Sequence, residues 1–218
     1  GLPLAIEFGK KFNTHGYDTN KNRIKNLLKN VDITNQVSEN NFKKSKFINF
    51  TFNSSDLKNC NYFIITVPTP ILKNKKPDLS HIKNATKLVG KILKKGDIVI
   101  FESTVYPGLT EEVCVPILEN KSKLVYNKDF YCGYSPERIN PGDKKYNLTN
   151  IVKVVSGSDM KTSKKIKVLY QSIIKAKVFE AKNIKTAEAA KVIENTQRDI
   201  NIALVNEIAL ICKKLNID

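Results

Sequence analysis

Two short apolar runs constrain the fold of this chain more than any other feature of its sequence. The first, Tyr62–Val67, is followed directly by Pro68, and the second, Asp97–Glu102, holds Ile, Val, Ile and Phe in succession. Strands that are apolar on both faces are typical of parallel sheets, because helices cover both sides of such sheets. Segments with helical periodicity separate these runs, so the sequence predicts repeated βα units.

The periodicity predicts helices and strands in alternation along the chain. Helices are expected at Leu2–Lys11, Lys21–Asn30, Thr34–Lys44, Ser55–Asn59, Leu79–Lys94, Leu109–Glu119, Asp159–Ile174 and Ile184–Leu215. Strands are expected at Asn13–Tyr17, Phe47–Phe52, Tyr62–Val67, Asp97–Glu102, Leu124–Tyr126, Tyr131–Tyr134, Ile151–Ser156 and Lys177–Phe179. This order predicts an α/β protein with a doubly wound parallel sheet.

The last predicted helix, Ile184–Leu215, is longer than helices inside globular domains usually are. We expect it to leave the first domain and to act as a connector or a dimer helix. The predicted organisation is therefore a first domain over residues 1–183, followed by the start of a second region over residues 184–218.

The charge of the chain favours a solvated surface over a nucleic-acid interface. The formal net charge is +16, but only three of the 37 basic residues are arginine, whose planar fork binds phosphates and bases best. The four cysteines are too far apart for a zinc or redox motif, which predicts a reducing, cytoplasmic location and no bound metal. No apolar stretch approaches the roughly 18 residues that a membrane helix needs.

Gly1 and Asp18 have the spacing of a dinucleotide site. In such folds the last glycine of a Gly-x-Gly-x-x-Gly turn lets the first helix pack closely, and an acid about 20 residues beyond the first glycine binds ribose. Gly1 fits as that last glycine if the first strand and the two earlier glycines lie outside this sequence. Asp18 fits equally well as the N-cap of the next helix.

Two loops and one helix carry further candidates. Ser103 and Thr104 follow a buried strand, where they either bind a ligand or cap the next helix. The loop Gly133–Asp143 contains acid, cation and amide groups between prolines, so it is either a site or a surface pair of Arg138 with Asp143. Lys191, Asn195 and Arg198 share one helix face, which either is simply solvated or stabilises a developing oxyanion.

Five motifs, taken together, resemble the UDP-glucose/GDP-mannose dehydrogenase family. They are Gly1-Leu2-Pro3-Leu4-Ala5, Val67-Pro68-Thr69-Pro70, Glu102-Ser103-Thr104-Val105, Tyr134-Ser135-Pro136-Glu137-Arg138-Ile139-Asn140-Pro141-Gly142 and Ala190-Lys191-Val192-Ile193-Glu194-Asn195-Thr196-Gln197-Arg198. The last two are most similar to members that act on UDP-N-acetylhexosamines and serve the synthesis of surface polysaccharides. The resemblance implies a Rossmann-like domain without its first strand, followed by a long helix that joins two subunits.

The resemblance also implies an activity and the residues that carry it. NAD would oxidise the sugar C6 alcohol to an aldehyde, which passes through a cysteine thioester to a carboxylate. The implied cofactor contacts are Gly1, Asp18, Arg23, Thr69 and Ser103. The implied catalytic residues are Thr104 and Glu137, which order and activate water, and Lys191 and Asn195, which stabilise an oxyanion. Arg138, Asn140 and Arg198 are the expected substrate contacts.

Two features separate this chain from the complete family pattern. The family's nucleophilic cysteine and its UDP-sugar domain would follow Asp218, so we expect the 218-residue chain alone to be inactive. Two alternatives stay open at this point: a β-hydroxyacid-type NAD dehydrogenase, which also uses a helical Lys-x-x-x-Asn, and a non-catalytic basic binding module.

Overall fold

The computed structural model describes residues 1–138 and 148–217. Its strands are β1 (Thr14–Tyr17), β2 (Ile48–Thr51), β3 (Tyr62–Ile65), β4 (Ile98–Phe101), β5 (Tyr131–Tyr134), β6 (Lys153–Gly157) and β7 (Val178–Glu180). Its helices are α1 (Leu2–Gly9), α2 (Lys21–Leu27), α3 (Glu39–Lys44), α4 (Ser80–Gly90), α5 (Val115–Ser122), α6 (Met160–Gln171) and α7 (Ile184–Leu215). A 3₁₀ turn over Ser54–Leu57 and a π-helical turn over Thr110–Cys114 are also present.

The strands form two sheets in which most pairs are parallel. β1 pairs with β2 in one sheet, and the other sheet has the order β3-β4-β5-β6-β7. The predicted doubly wound parallel sheet is confirmed, with one antiparallel pair, β5 and β6, that the sequence did not predict. A parallel pair needs a crossover connection, usually a helix. After β5 the chain instead continues into Pro136, a residue that the interior of a helix does not tolerate.

Two predicted elements are wrong because an aspartate closes a local turn in each. The helix expected from Thr34 begins only at Glu39, since the Asp32 carboxylate accepts hydrogen bonds from three backbone N–H groups that follow it. The strand expected over Leu124–Tyr126 forms only an isolated bridge, because Asp129 hydrogen-bonds back to this segment through its backbone and its carboxylate. Such local bonds offer the backbone an alternative to helix or sheet.

β4 lies at the centre of the core, and its four residues are at most 2 % exposed. Val99 and Phe101 face one apolar cluster, which includes residues of α4 and α5. Ile98 and Ile100 face a second cluster, which includes residues of α1 and α6. Because successive side chains of a strand point to opposite faces, helices cover both sides of β4. The prediction of a strand buried on both faces is confirmed for β4. It is wrong for β3, where Phe63 and Ile65 are buried but Tyr62 is exposed and Ile64 only half-buried on the other face.

Helix α1 packs on both sheets. Leu4 and Phe8 belong to the cluster around Ile98 and Ile100, whereas other residues of α1 pack with α2 and α3 beside β2. Among the described strands, β1 pairs only with β2, and β3 only with β4. Both therefore have an open edge. This matches the doubly wound sheet that the sequence predicts, in which the central first strand is not among these residues.

The predicted long helix is confirmed with the expected bounds, Ile184–Leu215. The side chain of Asn183 accepts a hydrogen bond from the backbone N–H of Thr186 and caps its start. From Thr196 onward nearly every residue of α7 is exposed, so this half of the helix projects from the sheet domain. Among the described residues, no helix combines the length and apolar composition that crossing a bilayer requires.

The open edges of β1 and β3 lead to a prediction about stability. Each unpaired and buried backbone group costs roughly 1–3 kcal/mol, and open edges also recruit other chains. We expect the 218-residue chain to unfold broadly or to aggregate, and an apolar strand ending in Gly-x-Gly-x-x ahead of Gly1 to restore a cooperative transition. Circular dichroism melts of both proteins test this.

A Gly/Ser extension of equal length is the control, and we expect it to leave the melt unchanged. A sharp melt of the unextended chain above about 55 °C, within the usual range of single domains, would show that the chain does not need the added strand.

Candidate active site at the carboxyl edge of the sheet

The candidate residues follow strands whose carboxyl ends meet at one edge of the larger sheet. β3, β4 and β5 are parallel neighbours, and backbone bonds join their ends: Glu102 N–H to Ile65 C=O, and Ser135 N–H to Phe101 C=O, each with an N···O distance of 2.9 Å. In open α/β sheets this edge is where ligands bind. The loops that begin here carry Thr69, Ser103, Thr104 and Glu137.

Gly1 places the start of α1 against the end of β3. A Cβ atom at Gly1 would lie 2.2 Å from the Thr66 Oγ1 atom, far inside van der Waals contact. Only glycine therefore allows this approach without a shift of Thr66. The backbone N–H groups of a helix N-terminus attract phosphate. The geometry thus fits the role that the sequence predicts for Gly1, the last glycine of a phosphate-binding turn.

Asp18 follows β1 and is not the N-cap of α2. That position is taken by Asn20, whose side chain accepts a hydrogen bond from the Arg23 N–H. Asp18 instead accepts a hydrogen bond from the Asn20 N–H at 2.8 Å and lies 3.6 Å from the Arg23 Nε atom. Its side chain is 39 % exposed. The carboxylate is therefore held in place and still accessible to a ligand.

Ser103 and Thr69 differ in how their hydroxyl groups are used. The Ser103 hydroxyl donates to the Val67 carbonyl at 2.7 Å and so ties the end of β4 to the end of β3. The Thr69 hydroxyl oxygen is buried and has no hydrogen-bond partner within residues 1–138 and 148–217. Because buried polar atoms are nearly always paired, an unpaired hydroxyl at this edge fits a site that a ligand completes.

Neither Ser103 nor Thr104 caps a helix. The next helical turn begins at Thr110, and Leu109 is at its N-cap position. The capping alternative for these two residues is therefore wrong. Ser103 is buried, whereas Thr104, the next residue, is exposed.

A second group of candidates joins the loop after β5 to helix α7. Lys191 Nζ donates to the Glu137 carbonyl oxygen at 2.7 Å. Arg138 binds the Glu194 carboxylate with an Nη2···Oε1 distance of 2.9 Å, and Arg198 binds the same oxygen at 3.1 Å. The structure thus brings two distant motifs together. The partner that the structure gives Arg138 among the described residues is Glu194 on α7.

Asn195 lies one helical turn beyond Lys191 and is partly buried. Asn140, and also Asp143, the alternative partner of Arg138, lie outside the described residues. Burial lowers the pKa of Lys191 below its ordinary value; Glu194 and Glu137 oppose this effect, and the nearby Arg198 and Arg138 add to it. A lysine in this setting gives up its proton more readily than a solvated one.

Sequence reasoning assigned no role to three buried residues beneath this edge. Lys153 Nζ lies 2.8 Å from Glu102 Oε1, and Tyr170 donates to the same oxygen. The sequence held a sign of this pair, because Lys153 stands between Ile151-Val152 and Val154-Val155 in a predicted strand. A lysine is almost never fully buried without a partner, so this position called for one.

Glu188 was also missed. It is buried on α7 and accepts hydrogen bonds from the backbone N–H groups of Gly108 and Thr110, at 2.5 and 3.0 Å. Burial raises the pKa of the Glu188 carboxyl, although these hydrogen bonds oppose the shift. Glu188 therefore fixes the near end of α7 to the loop that follows β4. Its position could have indicated this role, because Glu188 follows Ala187 on the apolar face of the predicted helix, where a carboxylate needs hydrogen-bond partners.

The fold and this edge define a dinucleotide-binding domain of the dehydrogenase type: parallel strands, a glycine at the start of the first helix and an acid after β1. Residues 1–174 match the NAD binding domain of the UDP-glucose/GDP-mannose dehydrogenase family, and residues 185–218 match its central domain. The chain belongs to this family, as its motifs predict. NAD, the cofactor expected from the sequence, is the one that the matched domain binds.

Three relatives illustrate the similarity. The chain is 55 % identical over 218 residues to a UDP-N-acetyl-D-glucosamine 6-dehydrogenase from Salmonella typhi, covering 100 % of this chain and 51 % of the relative. It is also 55 % identical to the enzyme of that name from Pseudomonas aeruginosa, covering 100 % and 52 %. A solved structure of a UDP-D-ManNAc dehydrogenase from Pyrococcus horikoshii superposes with a TM-score of 0.91 at 35 % identity, covering 99 % and 52 %. The chain thus spans about half the length of these relatives.

Ser103 and Thr104 provide a paired prediction. Ser103→Ala removes a partly buried hydrogen bond to the Val67 carbonyl, so we expect it to lower the free energy of unfolding by about 1 kcal/mol. Thr104→Ala changes an exposed side chain, so we expect an effect within about 0.5 kcal/mol. Urea unfolding of both variants measures the difference. Equal losses in the two variants would mean that the bond between Ser103 and Val67 does not stabilise this edge.

Proposed function

We propose that this chain is the NAD-binding half of a UDP-N-acetylhexosamine 6-dehydrogenase, which oxidises the sugar C6 alcohol to a carboxylate for surface polysaccharides. The hydrogen bond from Lys191 to the Glu137 carbonyl carries this proposal, since it joins the two motifs expected to perform the chemistry. The names of the relatives at 55 % identity support the substrate class. Membership of this family favours the proposal over a β-hydroxyacid dehydrogenase or a non-catalytic basic module.

The proposed cofactor contacts form one group at the carboxyl edge. The start of α1 at Gly1 faces the pyrophosphate, because helix N-termini attract anions. Asp18, steadied by Arg23, receives the adenosine ribose and disfavours NADP, whose phosphate it repels. Ser103 holds the loop that contains Thr69, and we assign the cofactor as the partner of the Thr69 hydroxyl, which has none among the described residues. When bound, NAD supplies the site that accepts hydride from the substrate.

The proposed catalytic residues form the second group. Lys191 holds a proton at Nζ and, together with Asn195, stabilises negative charge on the substrate oxygen. Glu137 acts as the general acid and base for a water molecule that Thr104 helps to order. Arg138 and Arg198, both bound to Glu194, and Asn140 contact the substrate, where we assign Arg138 and Asn140 to the acetamido group.

None of the cysteines in this chain suits the role of nucleophile, which requires a thiolate. Burial raises the pKa of Cys114 to about 12, and it also raises the pKa of Cys60 and Cys132. Cys212 lies 17 residues beyond Asn195 on α7, which is about 25 Å along the helix axis at 1.5 Å per residue. The thioester step therefore needs a residue from outside these 218 positions.

Three finer features belong to the proposal. We place the domain boundary at residue 183, where α7 begins with its cap. The exposed half of α7 carries an apolar face that would join two subunits into a homodimer, formed by Ile200, Leu204, Ile208, Ile211 and Leu215. We place the protein in the cytoplasm, since all four of its cysteines are free.

Product analysis tests the proposed function directly. The whole product of the gene, given NAD and UDP-N-acetylglucosamine or UDP-N-acetylgalactosamine, should form the corresponding uronic acid, detected by mass spectrometry. The 218-residue chain alone is the control, and we expect no acid from it because no thioester can form. No acid from the whole product with either sugar contradicts the proposed substrate class, and acid from the chain alone contradicts the assigned roles.

Lys191 should affect the chemistry more than cofactor binding. In the whole protein we expect Lys191→Ala to lower kcat by about 100-fold, the typical loss for one group that stabilises an oxyanion, and to change the KM for NAD much less. Steady-state kinetics measure both values. Lys185→Ala, at an exposed lysine on the same helix, is the matched control. If the two variants have equal kcat, Lys191 is a surface charge only.

A further inference from the structure

A buried ionic cluster that the proposed chemistry does not use lies beneath the candidate site. We call Glu102, Lys153 and Tyr170 the Lys153 cluster. The side chains of Lys153 and Glu102 are 5 % and 4 % exposed, and their charged atoms are 2.8 Å apart. The Tyr170 hydroxyl donates to the same Glu102 oxygen at 2.5 Å, and the Lys153 ammonium lies 5.2 Å from the centre of the Tyr170 ring.

Stability alone does not account for such a cluster. Taking two charges out of water costs more than their attraction commonly returns, and apolar residues of similar volume often replace a buried ion pair without loss. What the pair does provide is a fixed location for an ammonium group. The atoms that this ammonium touches therefore decide what the cluster is for.

The remaining protons of the ammonium point to the loop after β5. Lys153 Nζ donates to the Pro136 carbonyl at 3.2 Å and to the Ser135 carbonyl at 3.5 Å. The Ser135 hydroxyl in turn donates to the Val154 carbonyl at 2.7 Å. These bonds fix the backbone that leads directly into Glu137, the residue whose carbonyl receives Lys191.

The carboxylate of the cluster belongs to the other loop of the site. Glu102 immediately precedes Ser103 and Thr104 in the sequence. The pair of Glu102 and Lys153 therefore joins the loop after β4 to the loop after β5. Misplacement of a catalytic group by about 1 Å can lower the rate 100-fold. A rigid link between the two loops would therefore protect the rate by keeping their catalytic residues in position.

We infer that Lys153 is a positioning residue of the proposed dehydrogenase: held by Glu102 and Tyr170, it fixes the backbone before Glu137 so that this residue meets Lys191. The inference rests on the proposed function, since it assigns Lys153 a part in the same site. Lys153 contacts neither substrate nor cofactor in this assignment. Its effect passes through the carbonyls of Ser135 and Pro136.

The test removes the whole pair, because removal of the lysine alone would leave a buried, unpaired carboxylate. In the whole product of the gene, we expect Glu102→Gln with Lys153→Met to lower kcat by at least about tenfold and to leave the KM for NAD within about twofold. Lys153→Arg, with Glu102 unchanged, keeps the positive charge, so its kcat should lie between those of the double variant and the wild type. Unchanged kcat in the folded double variant overturns the inference.

A matched control lies at the opposite end of β4. Lys94 and Asp97 also form an ion pair with a buried carboxylate, at 3.0 Å. Asp97→Asn with Lys94→Met should lower the melting temperature to a similar degree while kcat stays near that of the wild type. An equal loss of kcat in this control would mean that any weakening of β4 reduces activity, which also overturns the inference.

A chemical readout separates this inference from the proposed function. Acetic anhydride acylates lysines, and mass spectrometry gives the rate at Lys191 relative to the exposed Lys185. Loss of the hydrogen bond to Glu137 should make acylation of Lys191 clearly faster in the double variant than in the wild type, whether or not the protein oxidises a sugar. If the double variant does not fold, Tyr170→Phe provides the test. It should also make acylation of Lys191 faster than in the wild type, and an unchanged acylation rate overturns the inference.

Discussion

Burial of β4 on both faces is the constraint on which the rest of the domain depends. A strand of alternating Ile, Val, Ile and Phe cannot face water on either side, so helices must lie both above and below it. The connections between parallel strands supply those helices, because each connection has to cross one face of the sheet. One consequence concerns function: β3, β4 and β5 all end at the same edge, and the polar residues that follow them are collected there.

That edge has a polar surface and a rigid support beneath it. Thr104 and Glu137 are exposed, whereas Ser103 is buried and bonded to the backbone of a neighbouring strand end. Groups that act on a ligand must be reachable, and groups that hold them must not move. The same division separates Lys191, which faces the loop after β5, from Glu188, which anchors its helix.

The sequence predicted most elements because their signals are local. Helix α7 was predicted with its observed bounds, since a long run of helical periodicity identifies it. The direction of β6 was missed because an antiparallel return depends on how its connection runs through space. Among the site residues, Lys191 and Glu137 could be named from motifs, but their contact could not, as they are far apart in the chain. The ion pair of Lys153 with Glu102 could not be predicted either, because the two residues are far apart in the sequence.

Helix α7 is also a rigid rod held near one end. From Glu188 to Leu215 the rod measures about 40 Å, while Lys191 lies only about 5 Å from that fixed point, at 1.5 Å per residue. If the rod tilts by about 5° around Glu188, its far tip moves by about 3.5 Å and Lys191 by about 0.4 Å. Because Lys191 lies so near the fixed point, displacements imposed on the tip of the helix barely move it. A neighbour that binds the tip can shift by several ångströms without disturbing the atoms next to Glu137.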